Sequence, residues 1–173
     1  MTSSKFIPNP IFDTLQHIKN QAYHLDSHVV CYISNAPVSG AKDDYRRALD
    51  FLYSYRGSPD TFAAYRRELE RLLQWSWFCQ RKNLKNLTRM DIEAFIDFCQ
   101  NPPLEWLSSK TVPRFVETQG TRVANKEWRP FVVKTRNKGK TADPASFALS
   151  AKALQAIFSI LGSFFTYLVQ EEY

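Results

Sequence analysis

Four stretches of the chain repeat apolar residues at helical spacing, and a long stretch before the last of them does not. Tyr45, Leu49, Leu52 and Tyr53 follow the 3.6-residue period and predict a helix from Asp43, with Gly57 where a C-cap glycine belongs. Ser58-Pro59-Asp60 reads as the N-cap, first-position proline and first-turn acid of a second helix running to about Arg81. With Leu69 at the centre of its buried face, Phe62, Tyr65, Leu72, Leu73 and Ser76 fall on the same side. Trp75 and Trp77 fall toward the edges of that face, Arg67 and Arg71 project from the opposite side, and Arg66 and Thr61 lie on its flanks. Thr88-Arg89-Met90-Asp91 is a capping signal for a third helix, with Ile92, Phe95, Ile96 and Cys99 inward and Pro102-Pro103 as its stop. Leu154, Ile157, Phe158, Leu161, Phe164, Phe165 and Leu168 define the fourth, with Ser150 as N-cap. Its apolar residues spread so widely around the helix that it is expected to be the central, most buried one, with Gly162 allowing a close helix crossing.

The remaining segments are less regular. Residues 1–40 read as an N-terminal extension, with a short helix over Ile11 to Ala22 and a strand-like run from Val29 to Ile33. His24 and His28 have a His-x-x-x-His spacing but no third ligand nearby, so no metal site is expected there. Residues 101–147 hold five of the nine prolines; Trp128 to Lys134 has strand-like composition and suggests one arm of a hairpin with its tip at Asn137-Lys138-Gly139.

Composition narrows the class. At 173 residues, 44% hydrophobic and 23% charged, the chain has the make-up of one folded domain, which excludes wholesale disorder. Cys31, Cys79 and Cys99 match neither a zinc pattern nor a disulfide framework, and no leader-like segment opens the chain, so a reducing, cytoplasmic location is expected. Cys79 and Cys99 read as small core residues. The apolar run Ala156 to Val169 is interrupted and shorter than the roughly 20 residues a bilayer requires, so it reads as a buried helix.

The net charge of +6 is concentrated. Between Arg122 and Lys140 stand Arg122, Lys126, Arg129, Lys134, Arg136, Lys138 and Lys140 against Glu127 alone, a net +6 within one segment. Such a concentration attracts polyphosphate, because each neutralised phosphate releases condensed counterions. Asp43, Asp44, Glu68 and Glu70 sit among basic residues and read as helix-surface acids in i, i+4 pairs. Phosphate-loop, dinucleotide, nucleophile-elbow, zinc-helix and paired C-x-x-C motifs are all missing from the sequence, so neither a catalytic site nor a cofactor is expected.

One set of residues is more specific than amphipathicity. Thr61-Phe62-Ala63-Ala64-Tyr65-Arg66-Arg67-Glu68-Leu69, continuing through Leu72, Leu73 and Trp75, resembles the T-x-x-x-Y-R-R-D/E-L pattern of the core-binding domain of tyrosine site-specific recombinases, the phage integrase family. Leu87 to Ile96 is similar to that family's L-T-x-x-D-I-x-x-F-I helix, and Ala153 to Leu168 is similar to its last helix. The resemblance implies an all-α fold: a small orthogonal four-helix, SAM-like bundle over residues 41–173, with an irregular basic insertion at about 101–147.

It also implies a role. A core-binding domain clamps double-stranded DNA at a recombination half-site, while a separate C-terminal domain supplies an arginine pair, H-x-x-R and a tyrosine nucleophile. Here His17, His24 and His28 are followed three residues later by Asn20, Ser27 and Cys31, so H-x-x-R is missing. Tyr173 falls where the linker would begin and is not read as the nucleophile, so the chain is expected to be a non-catalytic fragment. Its expected partners are DNA, its own catalytic domain in the parent protein, and other recombinase protomers on DNA. The expected DNA-contacting residues are Thr61, Arg66, Arg67 and Arg71 of the second helix, Lys134, Arg136, Lys138 and Lys140 of the insertion, and Lys152 of the last helix. The family often has basic residues at the positions of Gly162 and near Ile157; this sequence has only Lys152 on that helix, and the insertion is expected to take over the role. The alternatives are a free-standing helical DNA-binding accessory protein and a protein–protein adaptor whose basic loop meets an acidic partner.

Overall fold

Pro59 opens the helix around which the rest of the chain is assembled. A computed structural model describes residues 6–20, 26–134 and 143–173. Its helices, in chain order among the described residues, are α1 (Leu15–Asn20), α2 (Ser27–Ser34), α3 (Ala41–Ser54), α4 (Pro59–Gln74), α5 (Arg89–Gln100) and α6 (Ala151–Gln170). Four short strands lie between α5 and α6: β1 (Leu107–Ser108), β2 (Phe115–Thr118), β3 (Thr121–Ala124) and β4 (Phe131–Val132). The all-α expectation therefore holds for the body of the molecule, with a small β component added by the insertion.

Local signals set several boundaries. Pro59 stands at the start of α4, and its missing N–H is one that a helix start leaves unpaired anyway. Thr88 and Asp91 form a reciprocal capping box at the head of α5. Ser150 accepts from the Ala153 N–H at the head of α6. Gly40, at φ 87°, turns the chain into α3 in a conformation that favours glycine. The expected cap at Gly57 is not made: α3 ends at Ser54 with Tyr55 as its cap, and the left-handed glycines among the described residues are Gly40 and Gly120. The second helix does continue toward Arg81, but Trp75–Gln80 winds as a π-helix and Arg81, at φ 55°, stops it.

The centre of the structure is α4, not α6. Every residue from Glu68 to Trp77 is buried, so this helix is enclosed all round. Leu69, Leu72, Leu73 and Trp77 have no measurable exposure; full burial of such side chains contributes about 1.5–3 kcal/mol each. By contrast α6 packs one face, through Ile157, Leu161, Phe164 and Leu168, and leaves Phe158 and Val169 exposed. A Cβ at Gly162 would meet nothing within 4 Å, so no close helix crossing occurs there among the described residues. At 20 residues α6 has the length and apolarity of a membrane span, yet its packed face meets α3, where Phe164 and Tyr167 each lie 5.2 Å from the Phe51 ring.

The N-terminal segment reaches the core. Ile11 and Phe12 are buried, Phe12 stacks on Tyr45 with centroids 5.0 Å apart, and the Tyr45 hydroxyl donates to the Ile11 carbonyl at 2.9 Å. The first helix starts later than expected, at Leu15 rather than Ile11, and is described as far as Asn20. The run Val29–Ile33 is helical, as part of α2, rather than strand-like. Its β-branched side chains lower helix propensity only slightly, and burial of Val29 and Ile33 outweighs that preference. Cys79 is exposed, not a core residue, whereas Cys99 is buried as expected.

The insertion is organised differently from the expectation. Phe131 and Val132 do form a strand, but β4 pairs in parallel with β1. The hairpin is instead β2–β3, in antiparallel register Phe115↔Ala124 to Thr118↔Thr121. Its turn residues Gln119 and Gly120 both have positive φ, at 51° and 75°, as a two-residue type I′ hairpin turn requires. The expected tip at Asn137 to Gly139 lies outside the described residues.

Candidate nucleic-acid interface

A groove of about 1410 Å³ runs between α4, the β2–β3 hairpin, the 128–134 segment and the start of α6. Among the described residues seven cationic side chains line it: Arg66, Arg67 and Arg71 from α4, then Arg114, Arg122, Arg129 and Lys134 from the insertion. Only two carboxylates, Glu68 and Asp143, share the lining. The helical spacing of the α4 arginines and the chain reversal at the hairpin bring together cations that are far apart in sequence.

These cations divide into two kinds. Arg71 is buried: its Nε and Nη2 donate to the Pro130 carbonyl at 3.1 and 2.7 Å, and its Nη1 donates to Glu68 at 3.0 Å. The guanidinium also lies 3.9 Å from the Phe131 ring centroid. Burial lowers the Arg71 pKa, partly opposed by Glu68. The expectation that Arg71 projects into solvent is thus corrected: segment 130–131 covers the face of α4 that periodicity marks as outward. Arg66 is half-buried and donates to the Asp13 carbonyl at 2.8 Å; burial, with repulsion from Arg114, lowers its pKa to about 10. Arg122 makes a bidentate pair with Asp13, both N···O distances 2.6 Å, and that hydrogen bonding raises its pKa. Burial alone would raise the Asp13 pKa, but Arg122, the Thr14 N–H and His17 together leave it below the ordinary carboxylate value. Arg114 pairs with the buried Glu70 and lies over the Trp128 ring at 5.1 Å.

Arg67, Arg129 and Lys134 are the second kind. Arg67 touches Glu68 at 2.8 Å, but its side chain is 48% exposed and it shares that carboxylate with Arg71. Arg129 donates to the carbonyls of Lys126 and Trp128, which do not neutralise its charge. Lys134 is exposed at the groove edge. These three present charge to whatever enters the groove.

Among the other expected contacts, Thr61 sits half-buried at the head of α4, where its hydroxyl accepts from Ser58 at 2.8 Å. Lys152 is exposed in the first turn of α6 but is not among the groove-lining residues. Arg136, Lys138 and Lys140 lie outside the described residues. Reading the sequence missed Arg114, Arg122 and Arg129 as lining residues. Arg122 and Arg129 were visible within the basic segment, whereas nothing local marks Arg114. The acids expected on helix surfaces are buried instead: Asp44 0%, Glu68 2% and Glu70 1% exposed. Trp75 and Trp77, expected at the edges of the core, are also enclosed.

Asp13, His17 and Asp26 bring ligand atoms within 4.8 Å of one another. Both Asp13 oxygens already accept from Arg122, so a guanidinium occupies the position a metal cation would take. His28 packs beside Phe115 and His24 lies outside the described residues.

Residues 47–117 match the family model described as phage integrase, N-terminal SAM-like domain. That segment is similar to a phage-integrase SAM-like domain. No curated protein and no solved structure matches the chain. The SAM-like segment spans most of α3, all of α4 and α5, β1 and the start of β2. It therefore includes the three α4 arginines and Arg114, while Arg122, Arg129, Lys134 and α6 lie beyond its matched end.

Proposed function

We propose that this chain is the DNA-binding part of a tyrosine-recombinase-type integrase, gripping the backbone of double-stranded DNA at a recombination half-site. Strand cleavage belongs, in this reading, to a separate catalytic domain of the parent protein, and the chain itself is not an enzyme. Other recombinase protomers would then be its neighbours on DNA, and the cytoplasm its place of action. The single observation that carries the reading is the groove beside α4, whose seven cations face only two carboxylates. Arg67, Arg129 and Lys134 are the phosphate ligands, because carboxylates do not fully neutralise them. Arg71, Arg114 and Arg122 hold the groove walls together through Glu68, Glu70 and Asp13. Contacts of this kind position a protein on the duplex without reading its sequence.

Fluorescence anisotropy with a labelled duplex, between 50 and 200 mM salt, tests this directly. Replacing Arg67, Arg129 and Lys134 together with alanine should weaken binding to every duplex and reduce the log–log salt slope by about 3, one per lost phosphate contact. A slope equal to wild type would remove these residues from the interface. No duplex binding even at low salt would remove the function.

A further inference from the structure

The groove accounts for affinity without sequence preference; the hairpin that forms one of its walls has the features of a reader. The two faces of β2–β3 differ. Phe115 and Arg122 face the body, one buried and one paired with Asp13, and Glu117 stands opposite Arg122 in the register. The other face pairs Val116 with Val123 and Thr118 with Thr121, four uncharged β-branched residues. Val116, Thr118 and Thr121 are exposed, and so are Gln119 and Gly120 at the tip.

Gln119 is the anomaly. It occupies the first turn position at φ 51°, where glycine, asparagine or aspartate is the ordinary residue. A glutamine there bears a left-handed backbone penalty of about 1 kcal/mol, and its side chain makes no hydrogen bond to the described residues. A penalty of this kind, kept at an exposed tip beside a cationic groove, points to use of the side chain. Four residues per strand span roughly 13 Å. That is enough for a two-stranded ribbon to reach the floor of a major groove about 8.5 Å deep and 12 Å wide.

We propose that the tip of the β2–β3 hairpin enters the DNA major groove and reads A·T pairs, with the Gln119 amide on adenine and the Thr118 and Thr121 methyl groups against thymine methyls. The proposal rests on the DNA-binding reading above and assigns to that site its base-specific element. Glutamine offers adjacent donor and acceptor atoms that match N6 and N7 of adenine, and threonine methyls pack on the thymine C5 methyl. The occupant is argued to be nucleic acid, not protein, because the groove that this hairpin walls also presents the charges of Arg67, Arg129 and Lys134.

Selection from a randomised 20-bp duplex library with the full chain tests it. Wild type should enrich a motif containing A·T pairs, and Gln119→Ala should lose roughly tenfold discrimination at one of them. Its affinity for unselected duplex should remain unchanged. Replacing thymine by deoxyuridine in the selected duplex should weaken wild-type binding several-fold, and should matter less to a variant with Thr118→Ser and Thr121→Ser. If Gln119→Ala selects the wild-type motif with equal stringency, the proposal is overturned. It is also overturned if wild type binds duplex but enriches no motif, an outcome that leaves the backbone-gripping groove standing. Absence of any duplex binding overturns both. Loss of a self-associated species in sedimentation, without a change of motif, would make the hairpin a protein contact and likewise overturn it.

Discussion

Asp44 and Glu70 are buried to 0% and 1% exposure, and their surroundings satisfy them in opposite ways. Asp44 accepts from neutral donors: the Trp77 indole at 2.8 Å, the Leu84 N–H at 3.0 Å and the Tyr173 hydroxyl at 2.7 Å. Burial pushes its pKa up. Glu70 accepts from the Ile11 and Phe12 N–H groups at 2.7 and 3.1 Å and pairs with the Arg114 guanidinium. The first corner joins α3 to the end of the α4 rod and to Tyr173, three residues beyond α6. The second seam ties the N-terminal segment, α4 and the insertion together, through charges that have little access to water. Removing a neutral hydrogen-bond partner of a buried group costs about 1–3 kcal/mol. Removing one member of a buried ion pair costs about 3–5 kcal/mol, because the other charge remains. The groove thus depends on the more breakable kind of joint, and the helical body does not.

Glu70→Ala should therefore be the most damaging single change, at about 3–5 kcal/mol in urea denaturation, since Arg114 and two backbone N–H groups all lose their acceptor. Glu70→Gln keeps an acceptor for the N–H groups and should fall between that variant and wild type. A loss under 1 kcal/mol for Glu70→Ala would erase the contrast between seam and corner. Next comes a pair of arginines on one helix. Arg71→Met should cost about 2–3 kcal/mol by freeing the Pro130 carbonyl and weakening the pairing of Glu68, while leaving the salt slope of DNA binding intact. Arg67→Ala should do the reverse, lowering that slope by about 1 with a change in stability near 0.5 kcal/mol. If the two variants behave alike, the division between buried and presented cations is wrong.

This division shows what was legible in the sequence. Pro59, the Thr88–Asp91 box and Ser150 declare their roles within four residues, and the structure agrees with all three. The phase of α4 also places Leu69, Leu72 and Leu73 inside correctly. The same phase puts Arg71 and Glu68 outside, because periodicity assumes that water lies on the far side. Here segments 11–13 and 114–131 lie there instead, roughly 60 residues distant, and no local pattern reports such a cover. The basic tally located the insertion but did not distinguish Arg122, held by Asp13, from Arg129, held by carbonyls. The true hairpin was missed because Gln119-Gly120 lacks the asparagine or aspartate that signals its turn. Trp128 to Lys134 has better strand composition but only a two-residue strand, β4.

The smallest effect concerns Asp44, where the neutral corner makes a prediction of opposite sign to the seam. An asparagine can keep the three bonds: its oxygen accepts from the Trp77 indole and the Leu84 N–H, and its amide donates to the Tyr173 oxygen. Asp44→Asn should accordingly lie within about 1 kcal/mol of wild type at acid pH. A carboxyl whose pKa is raised on folding contributes stability that is fully present below the unfolded value of 3.8 and lost as pH rises through the folded one. Asparagine mimics the protonated form at every pH, so the variant should gain on wild type as pH increases from 3 to 7. For Asp13, whose folded pKa is lowered, the dependence runs the other way: its contribution is present above 3.8 and lost as pH falls. Melting temperatures of wild type, Asp44→Asn and Asp13→Asn across that range separate the two slopes. If Asp44→Asn instead loses ground to wild type as pH rises, ionised Asp44 is a stabilising group. Neutral donors would then be as good a home for a buried carboxylate as an arginine, and the contrast between corner and seam would collapse.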